Sequence, residues 1–293
     1  MPSNVIQWFP GHMAKTRRMI QENLSQVDII FEVLDARIPH SSRNPEIVKL
    51  VGTKPILTFL NKTDLADPDL TSNWCKYYTN NNNRCIPVDC VSGKGVDKIS
   101  DVVKDILSEK LERYQSKGMT GKKLRAMVVG IPNVGKSSLI NKLSGSKKAK
   151  VENRPGVTLD KQWVSTSIGV DLMDMPGVLW PKFDDQTVGE NLAITGAIKD
   201  QILDIEEIAM ILCARIRDMY PELLIQRYKI NEDALSLDAY DLFEAIGKKR
   251  GLLVSGGDVN SRRTAEMFLN EFRGATIGRI TLEKPNKHGD KNA

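Results

Sequence analysis

The sequence has few histidines and cysteines, and it contains no long apolar run. Its 293 residues include three histidines and four cysteines, and no cysteine belongs to a C-x-x-C pair. This spacing does not fit a metal site or a disulfide framework, so we expect reduced thiols. No segment approaches the ~20 apolar residues of a membrane-spanning helix, and the first residues resemble neither a signal nor a transit peptide. We therefore expect a cytoplasmic protein without a membrane partner.

The composition is that of an ordinary globular protein. Hydrophobic residues make up 41% and charged residues 27% of the chain, and the net charge is +5. The length predicts about two domains. The mild positive charge permits an anionic partner without requiring one.

The hydrophobic pattern divides the chain into two parts. Apolar runs at 28–35, 55–60, 84–88 and 125–130 predict strands, and helical patterns at 13–24, 69–78, 96–115 and 137–143 accompany them. This alternation favours a mostly parallel sheet with helices on both faces, extended by a hairpin over 161–174. Helical patterns at 202–220, 234–246 and 261–272 then predict a smaller all-α domain. We place the first domain at 1–180, the second at 181–284, and a disordered tail at 285–293.

The clearest motif lies between residues 130 and 137, which read G-x-x-x-x-G-K-S directly after a predicted strand and before a helix. This is the context of a phosphate-binding P-loop, in which glycines let backbone N–H groups face a polyphosphate. Lys136 is expected to reach the β- and γ-phosphates, and the Ser137 hydroxyl to bind Mg²⁺. The predicted phosphate-binding residues are Asn133, Val134, Gly135, Lys136, Ser137 and Ser138.

A second motif, N-K-x-D at Asn61, Lys62, Thr63 and Asp64, follows the strand predicted at 55–60. A carboxylate at Asp64 can accept both the N1–H and the 2-amino group of guanine, whereas adenine offers no such pair. We expect Lys62 to lie over the base and Asn61 to brace the loop. The loop after the strand at 84–88 is expected to contact the guanine from behind, with Asp89 and Cys90 as candidates, although its register is ambiguous.

Two further motifs follow the P-loop in the expected order. Residues 174–177 read D-x-x-G, which places Asp174 near Mg²⁺ and the N–H of Gly177 near the γ-phosphate. Thr158, in the loop before the hairpin, is the candidate second hydroxyl ligand. The predicted Mg²⁺ ligands are therefore Ser137, Thr158 and Asp174, and the chain is expected to bind GTP and GDP and to hydrolyse GTP.

The order of these motifs is unusual, because N-K-x-D precedes the P-loop. The pattern indicates a circularly permuted Ras-like P-loop GTPase domain, with the original ends joined near 118–123. Permutation is tolerated where the new termini lie at the surface.

The sequence resembles the circularly permuted GTPases that assemble ribosomes, and most closely the YlqF/RbgA family. The resemblance rests on residues 8–15, 35–39, 42–45, 130–138, 180–183 and 195–199, and it extends from about Ile6 to Leu282. It implies a permuted GTPase domain followed by a helical domain similar to RNA-binding antiterminator modules. It also implies a role in late maturation of the large ribosomal subunit. Asn133 resembles the asparagine that holds K⁺ in potassium-stimulated relatives.

The catalytic residue is less clearly indicated. Ras-like proteins place a glutamine directly after D-x-x-G to position water, but Val178 and Leu179 stand there in this chain. His12 is the candidate, because a neutral imidazole can accept a proton from water near pH 7. The alternative is that His12 caps a helix or touches RNA.

Three functions remain open from the sequence. The first is a GTPase that binds the large ribosomal subunit precursor and leaves after hydrolysis. The second is a regulatory GTP switch with a protein partner and no ribosomal RNA contact, and the third is an RNA-binding module with degenerate catalysis. Basic residues of the helical domain favour RNA contact, namely Lys248, Lys249, Arg250, Arg262, Arg263, Arg273 and Arg279. We expect the protein to be a monomer.

Overall fold

Strands and helices alternate up to the strand that ends at Asp174, and the longer elements described after it are helices. The computed structural model describes residues 10–80, 83–119, 121–145, 162–180, 183 and 185–285, and the side chains of all of these except residues 10–13 and 162. The strands are β1 (Ile29–Asp35), β2 (Ile56–Asn61), β3 (Arg84–Pro87), β4 (Leu124–Val129), β5 (Gln162–Ser165) and β6 (Val170–Asp174). The helices of the first half are α1 (Pro10–Asn23), α2 (Pro45–Val51), α3 (Pro68–Asn80), α4 (Ile99–Ile106), α5 (Ser108–Ser116) and α6 (Lys136–Ser144). Those of the second half are α7 (Gln186–Ile194), α8 (Ile205–Met219), α9 (Pro221–Tyr228), α10 (Ala239–Lys249) and α11 (Ser261–Arg273).

The six strands form one sheet in the order β3-β2-β1-β4-β6-β5. Every neighbouring pair is parallel except β5 and β6, which form the predicted hairpin. The strand that leads into the P-loop, β4, lies between β1 and β6. Strands that precede the P-loop in sequence therefore lie on one side of it and those that follow lie on the other, as the permuted fold requires.

Apolar layers cover both faces of the sheet, which explains why β1 is buried along its whole length. One layer contains Ile20 of α1 with Ile47 and Val51 of α2, packed against Met127 and Met173. The other layer includes α4, α6 and the sheet, and it continues through Trp180 into the helices of the second half. Because this core is continuous, the domain boundary at residue 180 stays a prediction.

The predicted elements are present, with differences at several helices. The helix predicted from Met13 begins at Pro10, and the one predicted over 96–115 is divided at Leu107 into α4 and α5. The predictions did not include α2, α7 or α9. The helix predicted over 234–246 is a short 3-10 turn followed by α10.

The second half is tied together by a partly buried carboxylate on α11. Glu271 accepts hydrogen bonds from Arg227, Tyr228 and Arg250. Burial alone would raise the pKa of Glu271, but these donors lower it. In the described part of the chain, no helix combines the length and hydrophobicity needed to cross a bilayer. The four cysteines are free thiols, as expected.

Candidate functional site

The predicted motifs meet at one edge of the sheet. Strands β1, β2, β3, β4 and β6 are parallel, so their carboxyl ends lie together. The P-loop follows β4, N-K-x-D begins at the last residue of β2, and Asp174 is the last residue of β6. This edge is where open α/β sheets bind their ligands.

Asn61 joins the two motifs that are far apart in sequence. Its side-chain nitrogen donates to the carbonyl of Val134 in the P-loop at 2.7 Å, and its side-chain oxygen accepts from the backbone N–H of Cys90 at 3.2 Å. Gly135 lies directly beneath it with φ +98°, and a Cβ at that position would collide with the Asn61 nitrogen. The asparagine therefore fixes the P-loop and the loop after β3 relative to each other.

Lys136 begins α6 and is 7% exposed. Its Nζ donates to the carbonyl of Ile131 at 2.9 Å. Burial lowers the pKa of Lys136 to about 8, while the nearby Asp174 carboxylate acts in the opposite direction. Because the Asp174 carboxylate offsets only part of the cost of burying this ammonium, an anionic phosphate would stabilise its charged form.

The residues of the D-x-x-G motif approach Lys136 from the neighbouring strand. Asp174 is 3% exposed. A Cβ on Gly177 would lie 2.5 Å from Lys136 Nζ and 3.0 Å from the backbone nitrogen of Pro132. Glycine is needed there because the two segments run in direct contact. Ser137 and Ser138 lie in the first turn of α6 and are partly exposed. Thr158 lies outside the described residues.

The side chain of Lys62 is held by an ion pair. Its Nζ lies 2.9 Å from Asp35 Oδ2, and its backbone has φ +63°. Burial lowers the pKa of Lys62, and the Asp35 carboxylate opposes that effect. The neighbouring Asp64 is exposed, and both partial desolvation and the nearby Asp89 raise the pKa of Asp64. A donor pair such as guanine N1–H and 2-NH₂ would relieve this repulsion.

The loop after β3 is shaped by Asp89, whose carboxylate accepts from the backbone N–H groups of Val91 and Ser92. Burial alone would raise the pKa of Asp89, but these bonds lower it. Its oxygens thus form an Asx turn, and Cys90 is buried beside it. A residue not predicted from the sequence, Lys142 of α6, donates to the carbonyls of Val91 and Ser92 and links the P-loop helix to this loop.

Asn133 has φ +61° and its side-chain nitrogen donates to the carbonyl of Gly196 at 2.7 Å. Its amide therefore connects the P-loop to the turn after α7. No cation is needed to explain its position, and the predicted K⁺ ligation stays a prediction.

The segment after D-x-x-G enters the core. Val178 and Leu179 are 4% and 0% exposed, and the carbonyl of Val178 accepts from the side chain of Asn44. Their apolar, buried side chains cannot orient water. The sequence placed His12 just before the helix predicted from Met13, but its backbone lies in the first turn of α1. Its side chain lies outside the described residues.

Three of the basic residues predicted to face RNA, Arg250, Arg273 and Arg279, make hydrogen bonds within the chain. Arg273 donates to the carbonyls of Ala193 and Ile194 and pairs with Asp200. Arg279 donates to two carbonyls of the loop after β2. An amphipathic charge pattern does not reveal such partners, which are distant in sequence, and the prediction that these residues line an RNA surface stays a prediction.

The comparisons with known proteins agree with this geometry. Residues 125–238 match the family described as "50S ribosome-binding GTPase". That match begins at β4 and leaves out the earlier N-K-x-D segment, as expected for a permuted chain. Ribosome biogenesis GTPase A of Priestia megaterium is 47% identical over 96% of this chain and 98% of its own length. Two structures of YlqF, one GDP-bound and one GNP-bound from T. maritima, are each 25% identical. They cover 92% and 93% of this chain and 99% of their own, with TM-scores of 0.64 and 0.61.

Proposed function

Because this chain belongs to the ribosome biogenesis GTPase A family, we propose that it binds a precursor of the large ribosomal subunit and couples GTP hydrolysis to its late maturation. The observation that carries the proposal is the bridge from Asn61 to Val134 and Cys90, which assembles a guanine motif and a P-loop into one site. The family described as 50S ribosome-binding GTPase supplies the choice of partner. We further propose that the protein acts as a cytoplasmic monomer.

The proposed nucleotide contacts follow from the geometry. Asp64 accepts the N1–H and 2-amino groups of guanine, and Lys62, held by Asp35, flanks the base. Lys136 binds the β- and γ-phosphates, and the N–H of Gly177 contacts the γ-phosphate. Once a bound base covers Asp64, a ligand without these donors would leave the carboxylate unpaired, and sites of this kind discriminate by ~10⁴-fold or more.

Mg²⁺ fits the polar groups beside Lys136. Asp174 is buried at the end of β6 and Ser137 lies in the first turn of the P-loop helix, so a carboxylate and a hydroxyl flank the proposed phosphate position. We propose these two residues and Thr158 as its protein ligands. When bound, the ion neutralises phosphate charge. For K⁺, we propose the side-chain oxygen of Asn133 as ligand.

We propose that His12 handles the attacking water, since Val178 and Leu179 are buried and apolar. For RNA contact, we propose Lys248, Lys249, Arg262 and Arg263. These four are exposed at the adjoining ends of α10 and α11, where Gly247 packs closely against Val259 and Thr264.

The test is GTP hydrolysis at low ionic strength, with and without purified large ribosomal subunits, for the native protein and His12→Ala. Small subunits serve as the matched partner control. We expect large subunits alone to raise the rate at least about tenfold, and His12→Ala to lose this stimulation while still binding GTP.

The outcomes separate the functions considered. If large subunits do not stimulate hydrolysis, or small subunits stimulate equally, the ribosome proposal is wrong, and a regulatory switch with a protein partner takes its place. If His12→Ala is stimulated like the native protein, another group handles the water.

A further inference from the structure

The segment that follows α11, Ile277–Glu283, runs along the guanine motif, and we call it the C-terminal strap. The backbone N–H of Ile280 donates to the carbonyl of Leu65 at 3.1 Å. Arg279 donates through Nη2 to the carbonyl of Thr63 at 2.7 Å and through Nε to that of Ala66 at 2.9 Å. Three backbone carbonyls around Asp64 are thus held by residues more than 200 positions later in the chain.

The strap is inserted between two loops of the sheet edge. Beyond Ile280, the hydroxyl of Thr281 donates to the carbonyl of Ala36 at 3.0 Å, and the N–H of Leu282 donates to the carbonyl of Arg37 at 2.8 Å. Ile280 and Thr281 are fully buried. The strap therefore joins the loop after β1 to the loop after β2 as an additional extended segment of the core.

The end of the strap is anchored by the partly buried carboxylate of Glu283. It accepts from the backbone N–H groups of His40 and Ser41 and from the side chain of Asn191 on α7. The indole of Trp74 on α3 donates to its backbone carbonyl at 3.0 Å. The strap is therefore fixed at one end by α11 and at the other by three separate elements.

A second connection reaches the same motif through buried charges. Lys62 pairs with Asp35, and Asp35 pairs with Arg37 at 2.7 Å. The Arg37 guanidinium lies over the ring of Phe272 on α11, 5.4 Å from its centroid. Both the lysine and the carbonyls of the guanine motif are therefore positioned by the end of the helical part.

From these contacts we infer that the C-terminal strap is a positioning element of the guanine site, with Arg279 as its principal residue. The inference rests on the proposal that Asp64 binds guanine. Because GDP and GTP carry the same base, the strap sets the affinity for both. The D-x-x-G segment, by contrast, contacts only the phosphate end. A partner that binds the helical part and displaces the strap therefore accelerates nucleotide release, and by linkage bound nucleotide holds the strap in place.

The test compares Arg279→Ala, Arg279→Lys and the control Arg113→Ala, which removes an exposed guanidinium of α5 paired with Glu109. Fluorescent GDP and GTP give affinities and dissociation rates, and IDP, which lacks the 2-amino group, reports base discrimination. We expect Arg279→Ala to weaken GDP and GTP alike by about fivefold, as for loss of charge-assisted hydrogen bonds. The change is expected in the dissociation rate, together with a lower GDP-to-IDP preference. Arg279→Lys should recover part of the affinity.

Two outcomes overturn the inference. One is an Arg279→Ala protein with the affinities and base preference of Arg113→Ala. The other, measured on the unmodified protein, is hydrogen exchange at the amides of Ile280 and Leu282 that GDP does not slow. Asp64→Asn separates this inference from the proposed function. If that variant binds GDP normally, the assignment of the guanine site itself is wrong, whereas weaker binding in Asp64→Asn with no change in Arg279→Ala rejects only the strap.

Discussion

At the scale of single residues, the side chain of Lys136 is buried, and this burial lowers the pKa of its ammonium group. Its pKa of about 8 means that the ammonium is charged in the free protein below that pH and neutral above it. Phosphate oxygens favour the charged form, so above pH 8 binding must take up a proton. We expect GDP affinity to be nearly constant from pH 6.5 to 7.5 and to fall towards about tenfold per pH unit above pH 8.

Titration calorimetry at pH 7, 8 and 9, in two buffers of different ionisation enthalpy, measures both the affinity and the proton uptake. Lys136→Arg is the matched control, because its guanidinium stays charged and guanine titrates equally in both experiments. Identical pH profiles for the two proteins would show that Lys136 does not titrate in this range.

Gly135 and Gly145 share a left-handed backbone but differ in their neighbours. A Cβ on Gly135 would collide with Asn61, whereas one on Gly145 has no neighbour within 4 Å. We expect Gly145→Ala to lower the free energy of unfolding by about 1 kcal/mol and to keep its GDP affinity. Gly135→Ala should lose at least about tenfold in GDP affinity, since displacing Asn61 breaks two hydrogen bonds. Equal GDP affinities in the two variants would contradict the bridging role of Asn61.

At the scale of elements, local signals decided which segments could be predicted. The central strands β1 and β4 were predictable because their apolar runs are almost entirely buried. The helices α2 and α7 were missed, although Asn44 and Asp185 cap their first turns and Pro45 follows the first cap. Because such N-cap residues mark the start of a helix, both helices could have been predicted from these local signals.

The division of the helix at 96–115 has a different cause. Ile99, Val103 and Leu107 recur at helical spacing and are buried, whereas α5 contains no buried residue. The helix is interrupted at Leu107, whose side chain stays in the core, and the more polar α5 packs against that core only through the partly buried Leu111 and Tyr114. Spacing alone could not show this, because the polar pattern of α5 is itself helical.

Across the whole molecule, motif chemistry was predictable and long-range support was not. The motif order predicted a permuted sheet whose parallel strands bring residues 61–64 and 130–138 to one edge, because this follows from topology. The contacts of Arg279 with Thr63, across 216 positions, have no local signal. For the same reason, the sequence did not show that Arg273 and Arg279 make hydrogen bonds within the chain.

Exposed basic side chains on the two parts of the molecule allow a test of which surface binds the large subunit. Lys249, Arg262 and Arg263 are exposed on the helical part, whereas Lys98, Lys104 and Lys117 are exposed on the GTPase part. Replacing either set with alanine changes the net charge of +5 equally. We expect only the first triple variant to bind large subunits more weakly and to reduce the salt dependence, by roughly 0.7–0.9 in the logarithmic slope for each phosphate that is no longer neutralised. Sedimentation binding from 50 to 200 mM salt measures this, with GDP affinity as the check on folding. If both triple variants reduce the slope equally, binding depends on net charge and not on this face, because only a local interaction distinguishes two variants of equal charge.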